Sequence, residues 1–183
     1  AMRFTTFNVT SILTGTGYAT DDYSQWGGFA VVMFFFVMFI GGCVGSTSCG
    51  IKIFRFQILY AAARTQMARL LQPHGVFVAN FNRRPIPESV LDSVMSFFFL
   101  FALSFAAIAV GLSLMGLDFL TAVSGAGTAI ANVGPGLGDV IGPSGTFAPL
   151  PDMAKWLLAA GMLLGRLELL TVMVLFTRTF WRG

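Results

Sequence analysis

The sequence predicts an all-α membrane fold in which long spans alternate with short re-entrant helices. Of its 183 residues, 56% are hydrophobic and only 10% are charged, whereas soluble domains carry about 25% charged residues. Such a composition cannot build a polar coat, so we expect lipid to be the solvent. Long uncharged segments also alternate with shorter glycine-rich ones. We expect no nucleic-acid partner, because no basic stretch is interleaved with aromatic residues.

Three segments reach the roughly 20 apolar residues that a membrane span needs. They are Trp26–Gly45, Val94–Leu117 and Met153–Trp181. The first two are uncharged, whereas the third contains internal charges that need an explanation. These charged residues are Lys155, Arg166, Glu168 and Arg178.

The distribution of charge predicts the orientation of the spans. Six of the eleven basic residues lie between residues 52 and 84, where there is no acid. The positive-inside rule places this linker in the cytoplasm. The opposite side is acidic, with Asp21, Asp22, Asp118, Asp139 and Asp152. The spans then run inward, outward and inward in chain order.

Two shorter segments, Phe4–Thr20 and Asp118–Gly138, begin as helices and end in glycine-rich turns. Apolar pieces of this length are typical of re-entrant segments. Non-helical backbone at membrane depth is tolerated only inside protein or against water. The order of a re-entrant helix, a glycine-rich turn, an acidic loop and an inward span therefore occurs twice. It predicts one unit over residues 1–85, including the basic linker, and a complete helix–pore-loop–helix repeat over residues 86–183.

The first glycine-rich turn has the composition of a cation filter. Carbonyl oxygens that replace a hydration shell must face one axis, and glycine makes the required backbone accessible. A short helix ending at the turn directs its negative dipole at the cation. Hydroxyl groups add further oxygens. The candidate residues are Thr14, Gly15, Thr16 and Gly17. The alternative is an ordinary glycine-containing turn after a helix.

The second turn follows a helix of small residues, which allow close packing against neighbours. Pro135 prevents the helix from continuing. The occurrence of two such turns on the same side favours the filter interpretation. The candidate residues here are Asn132, Val133 and Gly134.

Four strings of the chain are informative together: ILTGTGYAT at 12–20, GGCVGSTSCGIK at 41–52, ANVGPGLG at 131–138 and GRLE at 165–168. They resemble the TrkH-type membrane subunit of bacterial Trk/Ktr potassium uptake systems. The resemblance covers essentially the whole chain and extends from the third repeat's pore loop through the fourth repeat. We therefore expect the C-terminal portion of a longer protein; the opening residues do not have the order of a signal peptide.

The resemblance implies a potassium transporter of the bacterial inner membrane, with Gly17 and Gly134 as filter glycines. It implies K⁺ as the transported ion and no covalent cofactor. It also implies three partners: the remaining repeats, a second copy of the subunit and a cytoplasmic nucleotide-binding regulatory subunit. The basic linker could equally contact anionic lipid headgroups. A sodium-coupled Ktr-type transporter and a non-conducting membrane scaffold stay open as alternatives.

The glycine-rich segment 41–50 predicts a break in the first inward span. Four glycines and a Ser-Thr-Ser cluster weaken a helix and can satisfy freed backbone groups locally. It is not a phosphate-binding P-loop, because Ile51 separates Gly50 from Lys52. The resemblance implies a gating loop below the filter, against the alternative of a passive kink. The candidate gating residues are Gly41, Gly42, Gly45, Ser46, Thr47, Gly50 and Arg166.

Arg166 is costly inside a span unless it faces water or a partner. It lies roughly 22 Å of helix from Trp181, too far to reach the interface easily. We therefore expect Arg166 to face the pore or the loop 41–50, where its donors can meet loop carbonyls. The alternative is a buried structural ion pair. The chain contains no constellation of nucleophile, base and orienting group, so we do not expect an enzyme.

Overall fold

The computed structural model describes residues 2–43, 45–46, 48–72, 75, 77–82 and 84–167. Six helices and one two-residue strand pair follow one another along this part of the chain. The elements are α1 Met2–Thr14, α2 Gly28–Val37, α3 Ile53–Leu71, β1 Asn80–Phe81, β2 Arg84–Pro85, α4 Glu88–Leu114, α5 Phe119–Ala131 and α6 Asp152–Arg166. The two strands pair antiparallel, and a short 3₁₀ turn at Tyr23–Trp26 precedes α2.

Helix α4 has the length and apolar composition of a membrane-spanning helix. Its 27 residues extend about 40 Å, and within the described residues it alone is long and apolar enough to span a membrane. It begins after Pro87, six residues before the predicted Val94. Proline is favourable at a helix start because its missing amide would have no intrahelical partner there. The predicted outward span is therefore present and is longer than expected.

Helix α5 is the centre of the fold, packed between α4 and α6. Nearly all of its residues from Thr121 to Ala131 are buried, although the helix is short. Its small residues permit this packing: a Cβ at Gly127 would lie 3.0 Å from the sulfur of Met38 and 3.1 Å from the ring of Phe39. The prediction of a small-residue helix in close contact with its neighbours is confirmed.

The first inward span, predicted over Trp26–Gly45 with a break at residues 41–50, has a shorter first helix than expected. Helix α2 ends at Val37, and the chain leaves helical geometry before Gly41. A second helix, α3, then starts at Ile53 and takes up most of the segment that was assigned to a basic linker. Glycines at 41, 42, 45 and 50 are poor helix formers, so the break separates two helices instead of bending one.

The last inward span is described only in its first part. Helix α6 runs from Asp152 to Arg166 and begins one residue before the predicted Met153. The rest of the predicted span to Trp181, including Glu168 and Arg178, lies outside the described residues. Within α6, Ala154, Leu158 and Gly161 are buried.

Candidate functional site

The glycine-rich segments at residues 14–17 and 132–134, called here the first and the second strand and distinct from the β1–β2 pair, lie against each other. A Cβ added to Gly17 would overlap the carbonyl oxygen of Val133, and one added to Gly134 would lie 3.8 Å from the Cα of Gly17. A Cβ at Gly15 would lie 3.9 Å from the carbonyl oxygen of Asn132. The structure therefore brings the two predicted groups of filter residues together at the C-terminal ends of α1 and α5.

Both strands use the same unusual backbone. Gly15 and Gly17 have φ of 71° and 77°, and Asn132 and Gly134 have φ of 53° and 118°. The residue between each pair, Thr16 or Val133, is not left-handed. Positive φ is accessible to glycine and tolerated by asparagine. This alternation is the kind of backbone that the filter interpretation required.

Each strand is hydrogen-bonded to the last turns of the helix before it. The amide of Thr16 donates to the carbonyl of Ser11 at 2.9 Å, and the amide of Val133 donates to the carbonyl of Thr128 at 3.2 Å. The amide of Gly17 reaches the same Ser11 carbonyl at 3.4 Å. The amide of Gly134 instead donates to the hydroxyl oxygen of Thr128 at 3.0 Å.

Buried polar side chains hold the residues that follow the glycines. The hydroxyl oxygen of Ser124 accepts from the amide of Leu137 at 3.0 Å. The side-chain oxygen of Asn8 accepts from the amide of Thr20 at 3.0 Å. Asn8 and Ser124 are fully buried. Sequence reasoning gave neither a role; the available signal was a polar residue on an otherwise apolar re-entrant helix.

The hydroxyls of the first strand form a short chain. Thr14 donates to the carbonyl of Thr10 at 2.8 Å, and its hydroxyl oxygen lies 2.8 Å from that of Thr16. Because a hydroxyl has one proton, Thr16 must be the donor to Thr14. The lone pairs of Thr16 stay available, and both threonine side chains are exposed.

The second strand is also tied to α6. Asn132 ends α5 in the left-handed conformation, and its side-chain amide donates to the carbonyl of Met162 at 2.9 Å. Close by, a Cβ at Gly165 would overlap the carbonyl oxygen of Ile130. Asn132 therefore connects the strand to the helix that carries Arg166, and Gly165 allows the two helices to approach.

The segment 41–50 is a loop closed at its neck by backbone hydrogen bonds. The amide of Gly41 donates to the carbonyl of Ile51 at 2.9 Å, and the amide of Ile51 donates to the carbonyl of Phe39 at 2.8 Å. Inside the loop, the amide of Gly42 donates to the hydroxyl of Ser48 at 2.7 Å. Freed backbone groups are thus satisfied locally, as predicted. Thr47 lies outside the described residues.

Arg166 lies against this loop. Its guanidinium donates to the sulfur of Cys49 at 3.3 Å, so the expected contact with the loop is present, although it is made to a thiol that sequence reasoning had given no role. Met162, which bonds Asn132, and Arg166 are four residues apart on α6, or about 6 Å of helix rise. Helix α6 therefore contacts the second strand and the loop from positions one helical turn apart.

A cavity of about 230 Å³ adjoins the loop and Arg166. Three basic side chains, Lys52, Arg55 and Arg166, are among its lining residues. The guanidinium of Arg55 also lies 3.7 Å from the ring centroid of Phe97, a stacked position that suits its planar charge. Basic side chains therefore gather where the loop 41–50 meets α6.

Two titratable groups with shifted pKa values lie in the loops at the predicted outer side. Hydrogen bonds from the hydroxyl and amide of Thr121 lower the pKa of Asp118, which caps α5. Burial raises the pKa of Tyr23, and the charge of Asp22 adds to this effect. The ring of Tyr23 is stacked on Phe34, with centroids 4.1 Å apart.

These features define a membrane protein built from re-entrant helices whose glycine-rich ends meet at one site. The TrkH family model, described as a cation transport protein, matches residues 1–182. The chain belongs to the TrkH family, which is a family of cation transporters.

Similar proteins agree with this assignment. The Trk system potassium uptake protein TrkI of Halomonas elongata is 59% identical over 97% of this chain, and TrkH of Escherichia coli K12 is 38% identical over 96%. The crystal structure of the potassium transporter TrkH from Vibrio parahaemolyticus matches 93% of the chain with a TM-score of 0.84 and 38% identity. This chain spans 36% of the length of each of the three.

Proposed function

We propose that this chain is part of a potassium uptake subunit and supplies two of the strands that line its selectivity filter. The observation that carries the proposal is the contact between Gly17 and Val133, where two left-handed glycine backbones meet at the ends of two short helices. The names of its relatives, which are potassium uptake proteins, agree with it.

In this proposal, backbone carbonyls replace the hydration shell of K⁺. Helices α1 and α5 both end at the strands, so their negative dipole ends favour a cation there. The hydroxyl oxygen of Thr16 is a further ligand on the first strand. The coordinating residues are Thr14, Gly15, Thr16, Gly17, Asn132, Val133 and Gly134.

Two strands do not enclose an axis, and the chain spans 36% of its relatives. The remaining repeats of the parent protein supply the other half of the filter. We place the parent in the inner membrane of a bacterium, paired with a second copy. Helix α3 carries Arg64 and Arg69 with exposed side chains, and this helix is where a cytoplasmic nucleotide-binding subunit would dock.

The loop 41–50 acts as a gate below the filter. Its glycines, Gly41, Gly42, Gly45 and Gly50, free it from helical geometry, and the hydroxyls of Ser46 and Ser48 replace helical hydrogen bonds. Arg166 holds the loop through Cys49 and places positive charge beside the path. Movement of the loop away from Arg166 would then open the path to K⁺.

The test is ion flux by the full-length parent protein in lipid vesicles. We expect K⁺ uptake that exceeds Na⁺ uptake and proceeds without Na⁺. Uptake of K⁺ only when Na⁺ is present would support a sodium-coupled transporter of the same family. Vesicles that take up neither ion above the protein-free background would overturn the proposal in favour of a membrane scaffold.

The gate is tested by Arg166→Gln, which removes the charge and weakens the contact with Cys49. A hydrogen bond of about 1 kcal/mol corresponds to roughly a fivefold change in the ratio of open to closed loop. We expect K⁺ flux to rise by a similar factor. The matched control is Lys155→Gln, because Lys155 lies on the same helix in an exposed pair with Asp152. Equal flux in both variants would contradict the gating role.

A further inference from the structure

We propose that Thr128 is a positioning residue for the second filter strand and that its hydroxyl helps to set the K⁺ over Na⁺ selectivity of the transporter. This inference rests on the proposed function. It starts from one contact: the hydroxyl oxygen of Thr128 accepts from the amide of Gly134 at 3.0 Å. Thr128 is fully buried, so water does not compete for this bond.

The contact orients a carbonyl as well as an amide. A trans peptide unit is planar, and its N–H and C=O groups point in opposite directions. When Thr128 holds the amide of Gly134, the carbonyl of Val133 must point away from α5. It points toward Gly17, where a Cβ would overlap it. The hydroxyl therefore aims a coordinating carbonyl at the space between the strands.

The position needs such a restraint because Gly134 is conformationally free. Its φ of 118° lies in a region that glycine enters readily, and a glycine with this freedom permits the preceding peptide unit to rotate. Val133 already donates to the carbonyl of Thr128 at 3.2 Å. Thr128 thus binds two successive amides of the strand, one through its backbone and one through its side chain.

The first strand achieves the same orientation differently. Ser11 occupies the position of Thr128, and its carbonyl accepts from the amides of Thr16 at 2.9 Å and Gly17 at 3.4 Å. The hydroxyl of Ser11 is buried and makes no hydrogen bond in the described part of the chain. The side-chain hydrogen bond is thus a property of the second strand, and its loss should disturb one quarter of the filter.

The experiment compares Thr128→Val with Thr128→Ser in the full-length protein in vesicles. Valine keeps the shape and removes the hydroxyl, whereas serine keeps the hydroxyl. We expect Thr128→Val to lower the K⁺ to Na⁺ flux ratio roughly fivefold, or about 1 kcal/mol at tenfold per 1.4 kcal/mol. Thr128→Ser should keep the ratio within twofold of wild type.

The matched control is Thr121→Val, which removes a buried hydroxyl from the same helix at a distance from the strand. It should keep the wild-type ratio even if it lowers thermal stability. If Thr128→Val does not assemble, Thr128→Ala takes its place with the same expectation. An unchanged ratio in the hydroxyl-free variant, or an equal loss in Thr128→Ser, would overturn the inference. A wild-type protein that conducts no K⁺ would instead overturn the proposed function.

Discussion

The two glycine-rich strands of this chain have the same backbone and different side chains. A shift of 117 positions carries Gly17 onto Gly134, and it also carries Gly15 onto Asn132 and Ser11 onto Thr128. Left-handed residues and helix-to-strand hydrogen bonds recur at the shifted positions. Yet only the two glycines at 17 and 134 are identical among these pairs.

The difference teaches which part of the strand is constrained. Thr14 and Thr16 of the first strand become Ala131 and Val133 in the second, so the hydroxyls are lost while the carbonyls keep their places. A site built on side-chain ligands would not survive this replacement. A site built on backbone carbonyls would, provided that the left-handed positions are kept.

The largest effect should come from breaking the contact between the strands. In Gly17→Ala, the new Cβ would overlap the backbone of Val133, and φ at 77° adds strain. Because backbone cannot move aside as a side chain does, we expect K⁺ flux in vesicles to fall below detection.

In Gly134→Ala, the atom nearest to the new Cβ lies at 3.8 Å, so backbone strain of about 1–3 kcal/mol is the main cost. Flux should fall roughly tenfold.

The control for both variants is Gly28→Ala. Gly28 begins α2, and a Cβ there meets nothing within 4 Å. It should conduct like the wild type. The comparison of the strands would be wrong if Gly134→Ala were the more damaging of the two variants, or if Gly17→Ala conducted normally.

A smaller effect is expected at Asn132, which occupies in the second strand the left-handed position that Gly15 occupies in the first. Asn132→Gly keeps the conformation of Gly15 but loses the hydrogen bond to Met162. Asn132→Ala also loses the bond, and unlike glycine it keeps a Cβ at positive φ, which costs about 1–2 kcal/mol. Thermal unfolding of the full-length protein in detergent should therefore rank wild type above Asn132→Gly and Asn132→Gly above Asn132→Ala. The opposite order of the two variants would show that the side-chain bond and the φ do not govern this position.

Much of the fold could be predicted because composition and glycine placement are local signals. The span around Val94–Leu117, both re-entrant helices and the break at residues 41–50 follow from apolar length and helix propensity. The sequence also predicted that Arg166 faces the pore or the loop 41–50, because a charge within a span needs water or a partner.

Other features could not be predicted, since they depend on contacts between distant residues. The end of α2 at Val37 was not foreseen in an apolar run that continues to Ile40. Helix α3 was not predicted, because the basic residues of this segment were interpreted as a cytoplasmic linker and its helical pattern was not considered. The roles of Asn8, Ser124 and Thr128 depend on which backbone amides they face, and the sequence of an apolar helix does not specify those partners.

The smallest predicted effect concerns the other end of the second pore helix. Asp118 caps α5 by accepting from the amide of Thr121 at 3.1 Å, which places the helix start as Asn132 places its end. Replacing an N-cap carboxylate by alanine costs about 1 kcal/mol. Asp118→Ala should lower the stability of the full-length protein at pH 7 by this amount, whereas Asp118→Asn should cost less because asparagine also caps helices.

The same cap predicts a dependence on pH. The hydrogen bonds from Thr121 favour the charged carboxylate, so the pKa of Asp118 is lower in the folded than in the unfolded protein. Its stabilising contribution is then complete above the ordinary carboxyl pKa and is lost as pH falls through the lowered folded value. Other carboxylates titrate in the same pH range, so the measurement is the difference in the free energy of unfolding between wild type and Asp118→Asn. That difference should be constant from pH 7 to 5 and shift against the wild type below about pH 4; a difference that stays constant to pH 3 would remove Asp118 from the account of how α5 is held.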